Sequence, residues 1–533
     1  MSTRLKNLTA CGGVISVYAL VTLPILLTFP PPWPDEVILY SPAAALARGQ
    51  GMGTAVLTGF LPGIDHYTYW QPPGYFFFLS LALRLVAPAH HFVAMRLFSW
   101  LLGVVALWRG AAILKRLAVG PGPAFVSLAV LATQVSFIQA ANVGRMEMLT
   151  LASTLAALNC YLAYREKRRW RSLAEAGFLA GLAMLCHPAG ILVPAVMVAH
   201  EVAAPRSGGK GVKEVLAFLG CVLVAFLPWF AYIAQAPGLF STQMLAQSVR
   251  KSSYLGTVLT SGGYVRWLLR PFQDAIWPLG WSMGVPWPFS GRPAVIIQFL
   301  VLTVGLAALL AEGRRSVEAS LLGTWALAGY GISLILPEIW YGIHFTTPGC
   351  LLLGWAVAGA SRRTARKLAL ATLTLAAALN LDMARLLWHV NQDGSRRYQL
   401  YCSTLARMIP PNSSVLLAAI PDPYFGWLAE KKAYQVYEFV PEGVPVNEAQ
   451  VEEALDKIDY VVGSACCRPD YLVNYLLAHG RAEVSLGERA ALFPPVLLWK
   501  LRVQSNPPMK QKEGSRRAMG PAGGRKPAGS LPP

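Results

Sequence analysis

Charge is scarce in this chain, and acidic charge scarcer still: of 533 residues only 14% are charged, and 27 Asp and Glu stand against 46 Lys and Arg. With 55% hydrophobic residues and a mean hydropathy of +0.44, it carries more apolar surface than a soluble core could bury. Soluble fold classes are excluded and a polytopic membrane protein is implied. The chain also lacks the aromatic-interleaved basic stretch of a nucleic-acid binder. Its net charge of +19 sits in short clusters between apolar runs, as in cytoplasmic loops. Of the eight cysteines, Cys11, Cys160, Cys186, Cys221 and Cys350 lie in apolar runs, where a thiol behaves as a small hydrophobe. Cys402, Cys466 and Cys467 lack zinc-ligand spacing and are assigned no chemistry. No repeat of convincing period is present. No small-residue cleavage site precedes the first acids, so the opening apolar run reads as a signal anchor.

What is there alternates between apolar and basic. Taking Arg4 and Lys6 as cytoplasmic, apolar runs at about 9–29, 92–113, 123–141, 147–163, 172–187, 189–204, 214–233, 293–311, 319–336, 347–360 and 367–385 give about eleven transmembrane helices. The basic clusters "LKRL", "REKRRWR", "RSGGKGVK", "EGRRSVE" and "SRRTARK" then all fall inside. Two long loops, 30–91 and 234–292, fall outside. The apolar stretch Gln71 to Ala87 is too short for a comfortable span and reads as a helix lying along the outer interface. The expected fold is mainly α: a membrane helical bundle over 1–385, a small extracytoplasmic α/β domain over 386–503 and a disordered basic tail over 504–533.

The few acids in the membrane region are therefore informative. Asp35 and Glu36 follow the first apolar run, and Glu147, with Arg145 two residues before it, opens the next outside turn. Each could merely cap a helix. Together they place carboxylates from two loops on one membrane face, as a group-transfer site requires: one as base, another to orient the acceptor or hold a metal. "DHYTYWQPPGYFFF" adds His66, Tyr69 and Gln71, and Tyr40 follows the first acids; aromatics here suit a membrane belt, a sugar ring or a polyprenyl groove. His187 in "CHPAG" and His344 in "WYGIHFTTPG" lie on the same face. Arg250, Lys251, Arg266 and Arg270 lie in the second outside loop, against the inside bias of basic residues, and suit an anionic ligand such as a lipid phosphate.

"PDEVILYSPAAALARGQG", "QPPGYFFFLSLALRL", "MRLFSWLLGVVALWRGAAILKRL" and "NVGRMEMLTLASTLAALNCYLAYREKRRWRSLAEAGFLAGLAMLCHPAGILVPA", in this order, resemble the signatures of GT-C superfamily glycosyltransferases. The resemblance is to the branch holding protein mannosyltransferases, the lipid A aminoarabinose transferase and the rhizobial core galacturonosyltransferases. It covers about residues 9–235, with a weaker echo at "IHFTTPGCLLLGW". It implies a polyprenyl-phosphate sugar donor, a lipid, glycan or protein acceptor, and an active site on the extracytoplasmic face of the inner or plasma membrane. Catalytic roles would fall on Asp35, its companion Glu36 and Glu147. Departures are Gln71 where His is usual before Pro-Pro, Met146 where Pro is common, and His187 where Lys is frequent. A divalent ion held by Asp35 and Glu147 is left open. The competing class is a transporter or flippase, against which stand the few mid-membrane ionisable residues and the lack of paired half-repeats. A structural subunit would leave the outer-face acids without a purpose.

Overall fold

The structure is a computed structural model. It describes residues 3–28, 34–54, 62–203, 211–276, 291–312, 317–336, 340–359, 363–418, 432–435, 458–464, 482–485 and 496–501. The first half comprises α1 (Thr3–Thr22), α2 (Pro34–Ala47), α3 (Gly74–Leu83), α4 (His91–Arg116), α5 (Pro121–Thr133), α6 (Val135–Asn142), α7 (Glu147–Lys167), α8 (Trp170–Cys186), α9 (Leu192–Ala203) and α10 (Gly211–Ile233). It continues through α11 (Pro237–Ile276), α12 (Gly291–Glu312), α13 (Val317–Ile335), α14 (Ile343–Gly359) and α15 (Arg363–Met408).

Among the described residues, four helices are long and apolar enough to cross a bilayer, or five if the bent pair α5–α6 is one span. The eleven expected apolar runs thus do not become eleven long apolar helices. Some are short, as in α9 and α14, and one is broken. α7 is enclosed by its neighbours along nearly its whole length, and α8 packs beside it. A helix sheathed by protein needs no continuous apolar surface against lipid. α3 has 10 residues, about 15 Å of helix, half the thickness of the hydrocarbon layer. It cannot span as a straight helix, as the interfacial reading requires.

Two segments of the expected organisation carry long helices. Residues 234–292, expected as a long outside loop between spans, contain the 40-residue helix α11, which starts on Pro237; proline at the first helical position is pre-organised for helix. The boundary expected at 386 falls inside α15, whose 46 residues run on for about 69 Å. Composition changes there from apolar to polar, but helical hydrogen bonding does not stop where hydropathy does. Beyond α15, β1 (Ser414–Ala418), β2 (Lys432–Gln435), β3 (Tyr460–Ser464), β4 (Ala482–Ser485) and β5 (Val496–Leu501) form a mixed sheet of order β2-β1-β3-β5-β4. β1 pairs parallel with β2 and β3, and β5 pairs antiparallel with β3 and β4.

Close approach and polar pairing set the helix positions. Gly177 and Gly181 on α8 face α10 so closely that an added Cβ would lie 2.6 Å from the Phe218 carbonyl oxygen and 2.4 Å from that of Val222. Small residues four apart permit such backbone contact. α5 and α6 meet at 60° because Gln134 between them is extended, which frees carbonyls from the helical ladder. Asn380 of α15 answers one of them, donating to the Val130 oxygen at 3.2 Å and to Gln134 Oε1 at 3.3 Å, while its own oxygen accepts from Gln298 at 3.1 Å. All three side chains are buried, and inside a membrane a freed backbone group must find a protein partner. Replacing Asn380 by Leu is expected to destabilise the fold by about 1–3 kcal/mol, read as a lower midpoint of thermal unfolding in detergent. An unchanged midpoint would show that the bend does not depend on this side chain.

The two ends of the bundle differ in charge. Arg116 closes α4 by donating to Asn159 (2.7 Å) and pairing with Glu166 (2.7 Å) near the end of α7, so α4 and α7 run side by side in the same direction. Lys115, Lys167, Arg168, Arg169 and Arg171 gather at that end. The acids Asp35, Glu36 and Glu147 lie where these helices begin.

Candidate active site

Asp35 and Glu36 occupy the first turn of α2. Neighbours on a helix diverge by about 100°, so the two carboxylates cannot serve one place. Glu36 points inward and its side chain is 0% exposed. Arg96 of α4 grips it bidentately, Nε to Oε1 at 2.9 Å and Nη2 to Oε2 at 2.7 Å, and the Gly144 backbone N–H donates to Oε1 at 2.8 Å. Arg96 also donates to the Leu26 carbonyl at 2.9 Å and lies 4.7 Å over the Phe92 ring. Four segments, the stretch after α1, α2, α4 and the α6–α7 turn, are tied by this one pair. Gly144 can lie there because it has no side chain; a Cβ would be 2.3 Å from Met95 Cγ. Glu36 was expected to share the reacting role with Asp35; both its oxygens are engaged by Arg96 and the Gly144 N–H, and its side chain is shielded.

Asp35 points the other way and keeps 34% of its side chain exposed. It pairs with Arg145 Nη1. The same guanidinium donates from Nη2 to Glu147 Oε1 at 2.7 Å and from Nε to both Glu147 oxygens at 3.2 and 3.1 Å. Glu147, the first residue of α7, is fully buried. Arg145 therefore joins carboxylates from two distant segments, the convergence expected from sequence. Its guanidinium lies 4.4 Å over the Trp340 ring.

Beside this triad stand two histidines. His187 ends α8 in extended conformation and its Nδ1 accepts from the Ala189 N–H at 3.0 Å, which leaves the proton of the neutral ring on Nε2. Tyr341 lies edge-on between His187 at 5.4 Å and His344 at 6.1 Å. Both histidines are buried within electrostatic reach of Glu147. His344 Nε2 is buried and has no hydrogen-bond partner among the described residues.

Other predicted site residues go elsewhere. Tyr69 is fully buried in a cage of Tyr67, Trp229, Tyr232 and Phe240, its N–H donating to Gln243 at 2.8 Å and its hydroxyl to the Tyr232 carbonyl at 3.1 Å. It packs the loop and has no face for a sugar. The Tyr40 hydroxyl shares a hydrogen bond with His91 Nδ1 at 2.8 Å, linking α2 to α4. His66 is exposed beside Asp65. Gln71 is half-buried, and its carbonyl oxygen has no partner among the described residues. Arg270 is not a free cation, because it pairs with Asp274 at 3.4 Å one turn on. The side chains of Arg250, Lys251 and Arg266 lie outside the described residues.

Sequence reading missed Arg96, Trp340 and Tyr341. The last two adjoin His344 in the quoted "WYGIHFTTPG", and that adjacency was the available signal. It also missed Asp274, whose carboxyl is pushed up to about 6 by burial, against the pull of Arg270. Asp274 adjoins Ala275, which packs against Gly342 and so seats the end of α11 under the Tyr341 segment. The clamp makes a direct prediction: Arg96→Met strands a buried carboxylate and should destabilise by about 3–5 kcal/mol, whereas Asp35→Asn should leave the thermal midpoint within about 2 °C of wild type, Asp35 being partly exposed. Equal losses from both would show that the two acids are not divided in this way.

Residues 70–232 match the model of the dolichyl-phosphate-mannose-protein mannosyltransferase family, a segment that holds Arg145, Glu147 and His187. No curated protein sequence matches the chain. The fold is similar to ArnT from Cupriavidus metallidurans bound to undecaprenyl phosphate, with TM-score 0.56 and 14% identity over 92% of this chain and 98% of that one. It is also similar to the Archaeoglobus fulgidus oligosaccharyltransferase tethered with an acceptor peptide, with TM-score 0.55 and 12% identity over 88% of this chain and 71% of that one. The matched segment is under a third of this chain, and at 12–14% identity the two solved structures show a shared fold.

Proposed function

We propose that the chain transfers a sugar from a polyprenyl-phosphate donor to a lipid, glycan or protein acceptor on the extracytoplasmic face of an inner or plasma membrane. The observation that carries this reading is the meeting of Asp35 and Glu147 on one guanidinium, with one carboxylate open and the other buried. The similar folds support it, one being bound to undecaprenyl phosphate and the other tethered to an acceptor peptide.

The open carboxylate is the base. An acceptor hydroxyl or amine donates to Asp35 and gives up its proton as its oxygen or nitrogen bonds to the anomeric carbon. The bond from that carbon to the phosphate oxygen breaks, and polyprenyl phosphate leaves with the electron pair. Attack opposite the leaving group inverts the anomeric centre. Glu147 fixes Arg145, and through it Asp35, so the base is oriented before the acceptor arrives. His187 and His344 stand across Glu147 as hydrogen-bond donors for the leaving phosphate. The acid end of the bundle faces out and the end with Lys115, Arg116, Lys167 and Arg171 faces the cytoplasm, as the positive-inside bias requires.

Asp35→Asn is expected to lower transfer of labelled sugar from a panel of polyprenyl-phosphate donors by roughly 100-fold or more, with the fold retained. An Asp35→Asn protein as active as wild type would remove Asp35 from the mechanism. Orientation has its own check, because the side chains of His66 and Arg171 are 78% and 90% exposed. In intact cells a membrane-impermeant maleimide should label His66→Cys above the parent background and spare Arg171→Cys. The reverse pattern would invert the topology.

A further inference from the structure

Two carboxylates that converge beside a phosphate-bearing substrate invite a divalent metal, and Asp35 and Glu147 were the residues expected to hold one. The donor set here does not fit that role. We infer that Arg145 is the resident cation of the pair, and that Asp35 and Glu147 work with a guanidinium between them in place of a divalent ion. The inference deepens the transfer reading and rests on it for what the two carboxylates do.

The carboxylate oxygens that would face a metal face Arg145. Nη1 takes Asp35, and Nη2 and Nε take Glu147, so one planar cation uses both of its hydrogen-bonding edges on the two acids. A metal between them would have to displace at least three charge-assisted contacts and find another place for the guanidinium. Arg145 is held against such displacement, because Trp340 covers its face at 4.4 Å and only 8% of its side chain is exposed. The remaining ligands are not arranged for a metal either. Octahedral ions ask for several convergent oxygens, yet among the described residues no three His, Cys, Asp or Glu are gathered closely enough to hold one. His187 has Nδ1 committed to the Ala189 N–H.

The chemistry differs from that of a metal in three ways. A guanidinium cannot be deprotonated in the working range of pH, it is not removed by chelators, and it presents N–H groups in fixed directions rather than a sphere of exchangeable waters. It offsets one of the two negative charges, so the pair repels an incoming phosphate less while Asp35 keeps an oxygen for the acceptor proton.

The test is manganese binding by the full-length protein in detergent, followed by electron paramagnetic resonance, with no substrate present. Wild type should bind no stoichiometric Mn2+, and Arg145→Lys, which keeps the charge, should behave alike. Arg145→Gln leaves the two carboxylates without their cation and should lower the thermal midpoint, with part of the loss restored when Asp35→Asn is added. One equivalent bound by wild type and removed by Asp35→Asn would overturn the inference. So would an Arg145→Gln protein that keeps the wild-type thermal midpoint. Because no sugar transfer enters this readout, its outcome is separate from that of the donor panel. If the panel yields transfer, the wild-type rate should be unchanged by EDTA.

Discussion

A buried charge in a low-dielectric interior must be paired, and the Glu36–Arg96 pair is where this constraint organises the molecule. Arg96 lies 60 residues from Glu36 and reaches it only if α2 is laid across α4. The Gly144 N–H and the Leu26 carbonyl add to the polar shell. Once these groups are satisfied, the first turn of α2 is fixed in rotation as well as in position. The neighbouring Asp35 is then turned toward Arg145. The direction in which Asp35 points is thus set by its buried neighbour.

The same requirement recurs at the other end of α7. Tyr161 donates to Glu201 Oε2 at 2.6 Å, Arg165 reaches the same oxygen at 3.1 Å, and Tyr164 donates to Glu214 at 3.1 Å. These contacts tie α7 to α9 and α10 at the level where the exposed basic residues collect. α7 is therefore clamped at both ends by polar groups and packed on apolar neighbours between them. A helix held in this way can offer Glu147 at its start with little freedom, as orientation of a base requires. The α5–α6 bend serves the same end, because it carries the chain into the turn that presents Gly144 and Arg145.

Much of this was legible from residue order. Asp35 and Glu147 stood out because acids are rare here and both follow or precede long apolar runs. Short α3 was legible because ten apolar residues cannot cross hydrocarbon. Other features were not. Tyr69 and Arg270 looked like ligand contacts because aromatic and basic residues in an outer loop have that meaning on average. Whether a given one faces a substrate or a neighbour depends on partners such as Tyr232 and Asp274 that adjacency does not reveal. α11 was read as loop for the same reason: polarity reports exposure to water, whereas helix formation needs only a backbone free to hydrogen-bond to itself.

By itself the sequence determined the class of molecule, since 55% hydrophobic residues with 14% charged leave burial in a membrane as the way to remove so much apolar surface from water. It also singled out Asp35, Glu36 and Glu147, because acidic residues are scarce among the apolar runs. Only the tertiary structure decided how the acids divide their work. Adjacent residues on a helix point in different directions, and which direction meets Arg96 and which meets Arg145 is settled by the packing of helices distant in sequence. The cation between Asp35 and Glu147 was likewise a tertiary decision. Arg145 could have faced water, and what holds it between the acids is the Trp340 ring, brought over it from a segment nearly two hundred residues away along the chain.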